Sequence, residues 1–264
     1  MIPPPTDRLP ARRVVLLGAS NLTRAIATVV ESASRRWGRP LDVLAAFGHG
    51  RSYGLRMSML GRELPGIAEC DLWPALKQRP PAPTAALVTD VGNDLLYDIP
   101  VPEIAGWVEC CLDRLLEAGA RVVMTPLPLA AIATLSPRLF ILLRTVLFPG
   151  CRLRFATVTE RALDLDRRLR EMARKRGVLL AEHRADWYGW DPIHIKMRHW
   201  ARAWGEILAP WSDEAAVPEP APRSLRRWAY LRLLAPERRW FLGRERRRQQ
   251  PAGRLADGTA LSFY

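Results

Sequence analysis

The sequence predicts an α/β domain in which five parallel strands form one sheet covered by helices on both faces, a three-layer α/β/α sandwich. Three observations carry that expectation. Short, largely apolar runs, the mark of strands buried on both faces, recur along residues 13–183. They alternate with segments whose apolar residues return every three or four positions, as amphipathic helices require. Several of the runs end on small or polar residues, where an open parallel sheet places its chemistry.

Taken in order, Arg13 to Leu17 is the first strand, and a helix follows from about Asn21 to Trp37, with Ser20 or Asn21 available as its cap and "GRP" stopping it. "LDVLAAF" is the second strand and ends in "GHGRSYG". A helical stretch is expected through "LRMSMLGREL", then a proline-bearing connection, "KQRPPAPT", and a third strand, "AALVTD", ending on "VGNDLLYD". Between Val101 and Ala118, Ile104, Trp107, Val108, Cys111, Leu112, Leu115 and Leu116 recur at helical spacings of three and four. Gly119 ends that helix, "RVVMTPLP" supplies the fourth strand, a helix spans about Thr157 to Arg176, and "GVLLAEH" is the fifth strand. Right-handed crossovers then put all five strands parallel. This domain occupies 1–211; "SDEAAVPEPAPRS" reads as a linker, and 212–264 as a basic, Trp- and Arg-rich C-terminal extension.

The chain has 264 residues, with 40 Lys and Arg against 27 Asp and Glu, a formal charge of +13. That excess suits an anionic partner, and an arginine-rich coding bias would produce it equally well. Cys70, Cys110, Cys111 and Cys151 have neither metal-site spacing nor the density of a disulfide scaffold, and read as thiols in a reducing compartment. "MIPPPTDRLPARR" has prolines where a secretory signal needs an apolar stretch. The most apolar region, "LPLAAIATLSPRLFILLRTVLFPG", is interrupted by Pro137, Arg138 and Arg144, so it lacks the roughly 20 uninterrupted apolar residues of a spanning helix. The expectation is a cytoplasmic protein, with peripheral membrane association open.

In a parallel sheet the strand ends share one edge, so "GAS", "GHG", "GND" and "WYGWDPIHI" converge there. Asp191 and His194 stand three apart, a spacing that lets the carboxylate meet imidazole Nδ1 while Nε2 faces outward. A serine hydroxyl needs such a base, and Ser20 is the candidate nucleophile. The oxyanion formed needs donors: the N–H of Ser20, the Asn93 amide, and a glycine of the second block, where Gly50 is preferred to Gly48 although spacing does not separate them.

These blocks, in this order, resemble those of the SGNH hydrolases, the GDSL esterases and lipases: "LLGASN" for serine, "AFGHGRSYG" for glycine, "TDVGND" for asparagine and "DPIH" for the acid and base. The resemblance spans roughly Val14 to Trp211 and implies a flavodoxin-like fold, a Ser20–His194–Asp191 triad, and Gly50 and Asn93 in the oxyanion hole. No cofactor and no metal are expected. Family members usually carry Asp before the serine, where this chain has Ala19, so a supporting hydrogen bond around the nucleophile loop is expected to be missing.

Each piece has a plainer reading: Ser20 as a helix cap, "GND" as a turn, His194 as an ordinary histidine. A dinucleotide-binding turn is disfavoured by bulky Leu22 and Arg24 where glycines are needed, and no G-x-S-x-G elbow occurs. His183, His194 and His199 lack the one-face spacing of a zinc pair. Trp187, Trp190, Trp200 and Trp204 suit the core, with a place in the substrate cleft as the alternative for Trp190, beside the acid and base; Gly48 is a further candidate substrate contact. Leu135 to Phe148 is either a core helix or an acyl-binding wall.

The expected activity is cleavage of a carboxylic ester, O-acetyl group or thioester, on a small-molecule or lipid substrate. Acyl transfer on the same site and a noncatalytic binding protein acting through its basic extension are the alternatives. For that extension, packing on its own domain comes first, an anionic membrane surface second, and nucleic acid is the least favoured.

Overall fold

The computed structural model describes residues 12–59, 62–148, 150–212 and 224–264. The proline-rich start and most of the expected linker, 213–223, lie outside the described residues. The strands and helices in chain order are β1 (Arg12–Leu17), α1 (Ser20–Trp37), β2 (Leu41–Ala46), β3 (Met57–Met59), β4 (Arg62–Leu64), α2 (Leu72–Gln78), β5 (Thr84–Val88), α3 (Val101–Glu117), β6 (Ala120–Met124), α4 (Leu129–Ile132) and α5 (Pro137–Leu147). They continue with α6 (Phe155–Arg176), β7 (Leu179–Leu180), α7 (Trp200–Ile207), α8 (Leu225–Leu233), β8 (Arg238–Phe241), β9 (Arg244–Arg247), β10 (Gly253–Arg254) and β11 (Ala260–Phe263).

The main sheet runs β10-β11-β2-β1-β5-β6-β7, and every neighbouring pair is parallel except β10 with β11. Its five inner-sequence strands, in the order β2-β1-β5-β6-β7, are the flavodoxin-like arrangement, with the order reversing between β1 and β5. Ligands bind outside the strand ends at such a reversal, so the loops after β1 and β5 are the place to look. β1, β2 and β5 are apolar through nearly their whole length because both faces are covered. One face packs on α2, α3 and α6 through residues such as Leu72, Ile104, Val108 and Leu165. The other packs on α1, α7 and α8 through Leu22, Ile26, Trp204 and Leu231.

Two features depart from the sequence reading. Within "LRMSMLGREL", the described residues Met57–Met59 and Arg62–Leu64 form β3 and β4, paired antiparallel, where the sequence predicts a helix. Leu55, Met57 and Met59 alternate, a period-two pattern that a strand satisfies when a partner edge exists, and β8 supplies it in a second sheet of order β3-β4-β8-β9. The sheet is also wider than five strands. The segment read as an extension sends β11 back beside β2, and Ala260, Leu261 and Phe263 are buried there. Among the described residues, no helix is long and apolar enough to cross a membrane.

Candidate active site

β1 is followed by Gly18, where a Cβ would lie 2.7 Å from Thr89 Cγ2. Only glycine lets the ends of β1 and β5 approach so closely. The next residues turn into α1, and Ser20 is its first residue. Ser20 does not cap that helix. Its hydroxyl lies 2.9 Å from His194 Nε2, and His194 Nδ1 lies 2.7 Å from Asp191 Oδ2, so residues 174 positions apart meet at one edge. With the carboxylate accepting from Nδ1–H, Nε2 is left as acceptor for the serine proton. Burial alone would raise the Asp191 pKa, but the hydrogen bond and charge of His194 outweigh it and hold the carboxyl below its ordinary value.

The cap of α1 comes from another strand end. Ala19 offers no side-chain acceptor, and Asp90, just past β5, takes the N–H of Ala19 at 2.9 Å and of Leu22 at 3.1 Å on its Oδ2. A carboxylate at a helix N-terminus satisfies orphan N–H groups and complements the helix dipole. The carboxylate at this end of the helix thus comes from Asp90 and not from residue 19. Its Oδ1 accepts from Asn21 Nδ2 at 2.9 Å. Asn21 Nδ2 also donates to Ile193 O at 2.8 Å, and Asn21 Oδ1 accepts from Ile195 N at 2.9 Å. The residues on both sides of His194 are therefore fastened to the helix that carries Ser20.

The glycine and asparagine blocks are joined in the same way. Asp94 accepts from Tyr53 N at 2.9 Å, Tyr53 Oη donates to Thr89 O at 2.7 Å, and Tyr97 Oη donates to Gly50 O at 2.5 Å. Gly50 has φ +61°, a left-handed conformation that disfavours any side chain. Gly48 instead approaches Leu64, whose Cδ1 lies 2.6 Å from where its Cβ would be. Burial pushes the Asp94 carboxyl up to about 6.

A cleft enclosing about 1030 Å³, open solvent included, begins at Ser20 and Asn93. Its walls are mostly apolar, with Leu96, Ile132, Phe140, Leu143, Phe148 and Val158 among them. The Asn93 Nδ2 amide is buried and has no hydrogen-bond partner among the described residues, an expensive state for a donor unless something else uses it. Leu135 to Phe148 forms α5 and the residues beside it, lining this cleft with Phe140 and Leu143 while Ile141, Leu142 and Val146 face solvent. Of the expected core tryptophans, Trp187 and Trp204 are buried and Trp200 is half-buried against the same core, but Trp190 is 72% exposed and is not part of the wall. Tyr188 and Pro192 on either side of it line the cleft instead, because the irregular loop carrying the acid and base leaves Trp190 on its outer side. No group of three His, Cys, Asp or Glu is gathered as a metal site among the described residues. His183 hydrogen-bonds Tyr188 Oη at 2.8 Å, and burial lowers its pKa to about 4, so it stands neutral at the cleft wall.

No family model matches the sequence, and no curated protein matches it. Among solved structures, the M. smegmatis aryl esterase aligns over 75% of this chain and 96% of its own, with 16% identity and a TM-score of 0.50. This chain has the SGNH-hydrolase fold. The psychrotrophic esterase EstA from Pseudoalteromonas sp. aligns over 75% of this chain and 95% of its own, at 12% identity and a TM-score of 0.45.

Asn21, Asp90, Asp94, Tyr53 and Tyr97 were not singled out as site residues by sequence. Two signals pointed their way: Asn21 and Asp90 are polar residues directly beside a strand end, and Asp94 follows Asn93 in the same block.

Proposed function

We infer that this protein is a serine hydrolase cleaving a carboxylic ester with an apolar acyl part. The observation that carries the reading is the hydrogen-bonded chain from Ser20 Oγ through His194 to Asp191. In the reaction His194 Nε2 takes the Ser20 proton as Oγ bonds to the ester carbonyl carbon, and the carbonyl oxygen becomes an oxyanion. The N–H groups of Ser20 and Gly50 and the Asn93 amide stabilise it, and the unpartnered Nδ2 of Asn93 supports that role. The tetrahedral species collapses by breaking the bond to the alcohol oxygen, which takes the proton from His194. Water then attacks the acyl-enzyme with His194 as base, releasing the acid and restoring Ser20.

The apolar cleft between Asn93 and α5 suits the acyl chain, and the esterase activity named for a protein of the same fold agrees with the reaction class. The test is turnover of an activated short-chain ester. Ser20→Ala should lose roughly four or more orders of magnitude in kcat while keeping its Tm. Wild-type turnover in that variant would remove Ser20 from the mechanism.

A further inference from the structure

The hairpin of β8 and β9 ends in a two-residue turn, Leu242–Gly243, with Phe241 paired to Arg244 at its base. Both turn residues have positive φ, +48° and +74°, the backbone of a type I′ hairpin. Such turns favour Asn-Gly, because a β-carbon at the first position is strained and Asn tolerates the left-handed region best. Here that position carries a leucine. Among the described residues no burial of this side chain offsets the strain, since Leu242 is 75% exposed and Phe241 beside it 49%.

The charge around this tip is predominantly positive. Between 238 and 248 the sequence has six arginines and one glutamate. Arg238 is engaged by Asp71 and Arg247 by Glu245, and Arg56 packs over the Trp240 ring at 3.6 Å. Arg244 and Arg246, directly after the tip, are exposed and have no carboxylate partner among the described residues. The hairpin also lines a second cleft, apart from the one at Ser20. Phe241, Met57 and Leu64 share its wall with Gly48 and His49.

We propose that the Phe241–Leu242 tip is a docking element for an anionic lipid surface, with Leu242 and Phe241 entering the acyl boundary and Arg244 and Arg246 meeting lipid phosphates. An apolar tip alone would fit many partners, and arginines alone would fit any polyanion. A strained, water-exposed leucine between them fits a surface that is apolar at depth and anionic at its face. The inference stands apart from the hydrolase reading, because it concerns where the protein sits and not what its serine does.

The test is co-sedimentation of the full chain with vesicles of phosphatidylcholine alone and of phosphatidylcholine mixed with phosphatidylglycerol, at low and high salt. Wild type should partition onto the phosphatidylglycerol vesicles and be released by salt. Leu242→Asn, which suits the turn better, should keep or raise Tm and bind about tenfold more weakly. Arg244→Glu combined with Arg246→Glu should weaken binding more than tenfold. Both variants should hydrolyse a soluble short-chain ester as wild type does. Equal partitioning on the two vesicle types, or unaltered binding by Leu242→Asn, would overturn the proposal. So would tighter binding to single-stranded DNA than to the anionic vesicles, unchanged in Leu242→Asn, since stacking and phosphate contacts would then explain the arginines.

Discussion

Asp90→Asn should leave the protein folded but its serine poorly served by its base. In the native structure Oδ2 of Asp90 caps α1 through Ala19 and Leu22, while Oδ1 holds Asn21. An amide has one acceptor. Turned toward the helix it keeps both backbone bonds, and its NH₂ then faces Asn21 Nδ2, donor against donor. Asn21 has no relief by flipping, because that would cost its bonds to Ile193 O and Ile195 N. Weakening charge-assisted bonds and leaving one donor badly paired should cost about 1–2 kcal/mol, a fall in Tm of roughly 2–8 °C for a domain of this size. The effect on turnover should be larger. The His194 loop is held to Ser20 through Asn21, and a shift of about 1 Å in a catalytic group costs on the order of a hundredfold. Kinetics on a short-chain ester should show kcat falling about that much with KM nearly unchanged, alongside a calorimetric Tm. Wild-type kcat in a variant of unchanged Tm would refute the idea that Asp90 acts through Asn21.

Three further outcomes follow from the same geometry. Asn93→Ala should lower kcat by about two to three orders of magnitude and leave Tm almost unaltered, as measured with the same ester. Leu143→Trp, which fills the cleft between Asn93 and α5, should lower the ratio of long-chain to short-chain ester turnover by about tenfold or more in a chain-length series. Asp94 has a folded pKa raised to about 6 from 3.8, so the fold favours its protonated form and the burial penalty grows as pH rises between about 4 and 6. Urea denaturation across that window should show wild type losing on the order of 2–3 kcal/mol relative to Asp94→Asn, with the gap constant above it.

The parallel core was legible because strands buried on both faces must be apolar along their whole length, and Val14 to Leu17 and Ala85 to Val88 meet that demand without reference to the rest of the chain. Residues 55–64 were not, since a few apolar residues fit either period until β8 arrives from far along the chain to pair with them. The same holds for β11, whose place beside β2 joins positions 42–45 to 260–263. Ser20, Asp191, His194 and Asn93 could be read as a set because chemistry restricts which residue types can serve. Asn21 and Asp90 could not, because their importance lies in which backbone groups they meet, and the fold decides that. Trp190 was misplaced for a related reason: nearness in sequence to the acid and base says nothing about which side of an irregular loop a ring takes.

The central claim is that Ser20 is an activated nucleophile, and a fluorophosphonate probe tests it without a known substrate. The folded wild-type protein should be labelled at Ser20, located by mass spectrometry, and labelling should vanish in His194→Ala. No label on folded wild type, label at another residue, or undiminished label on Ser20 in His194→Ala would contradict the account.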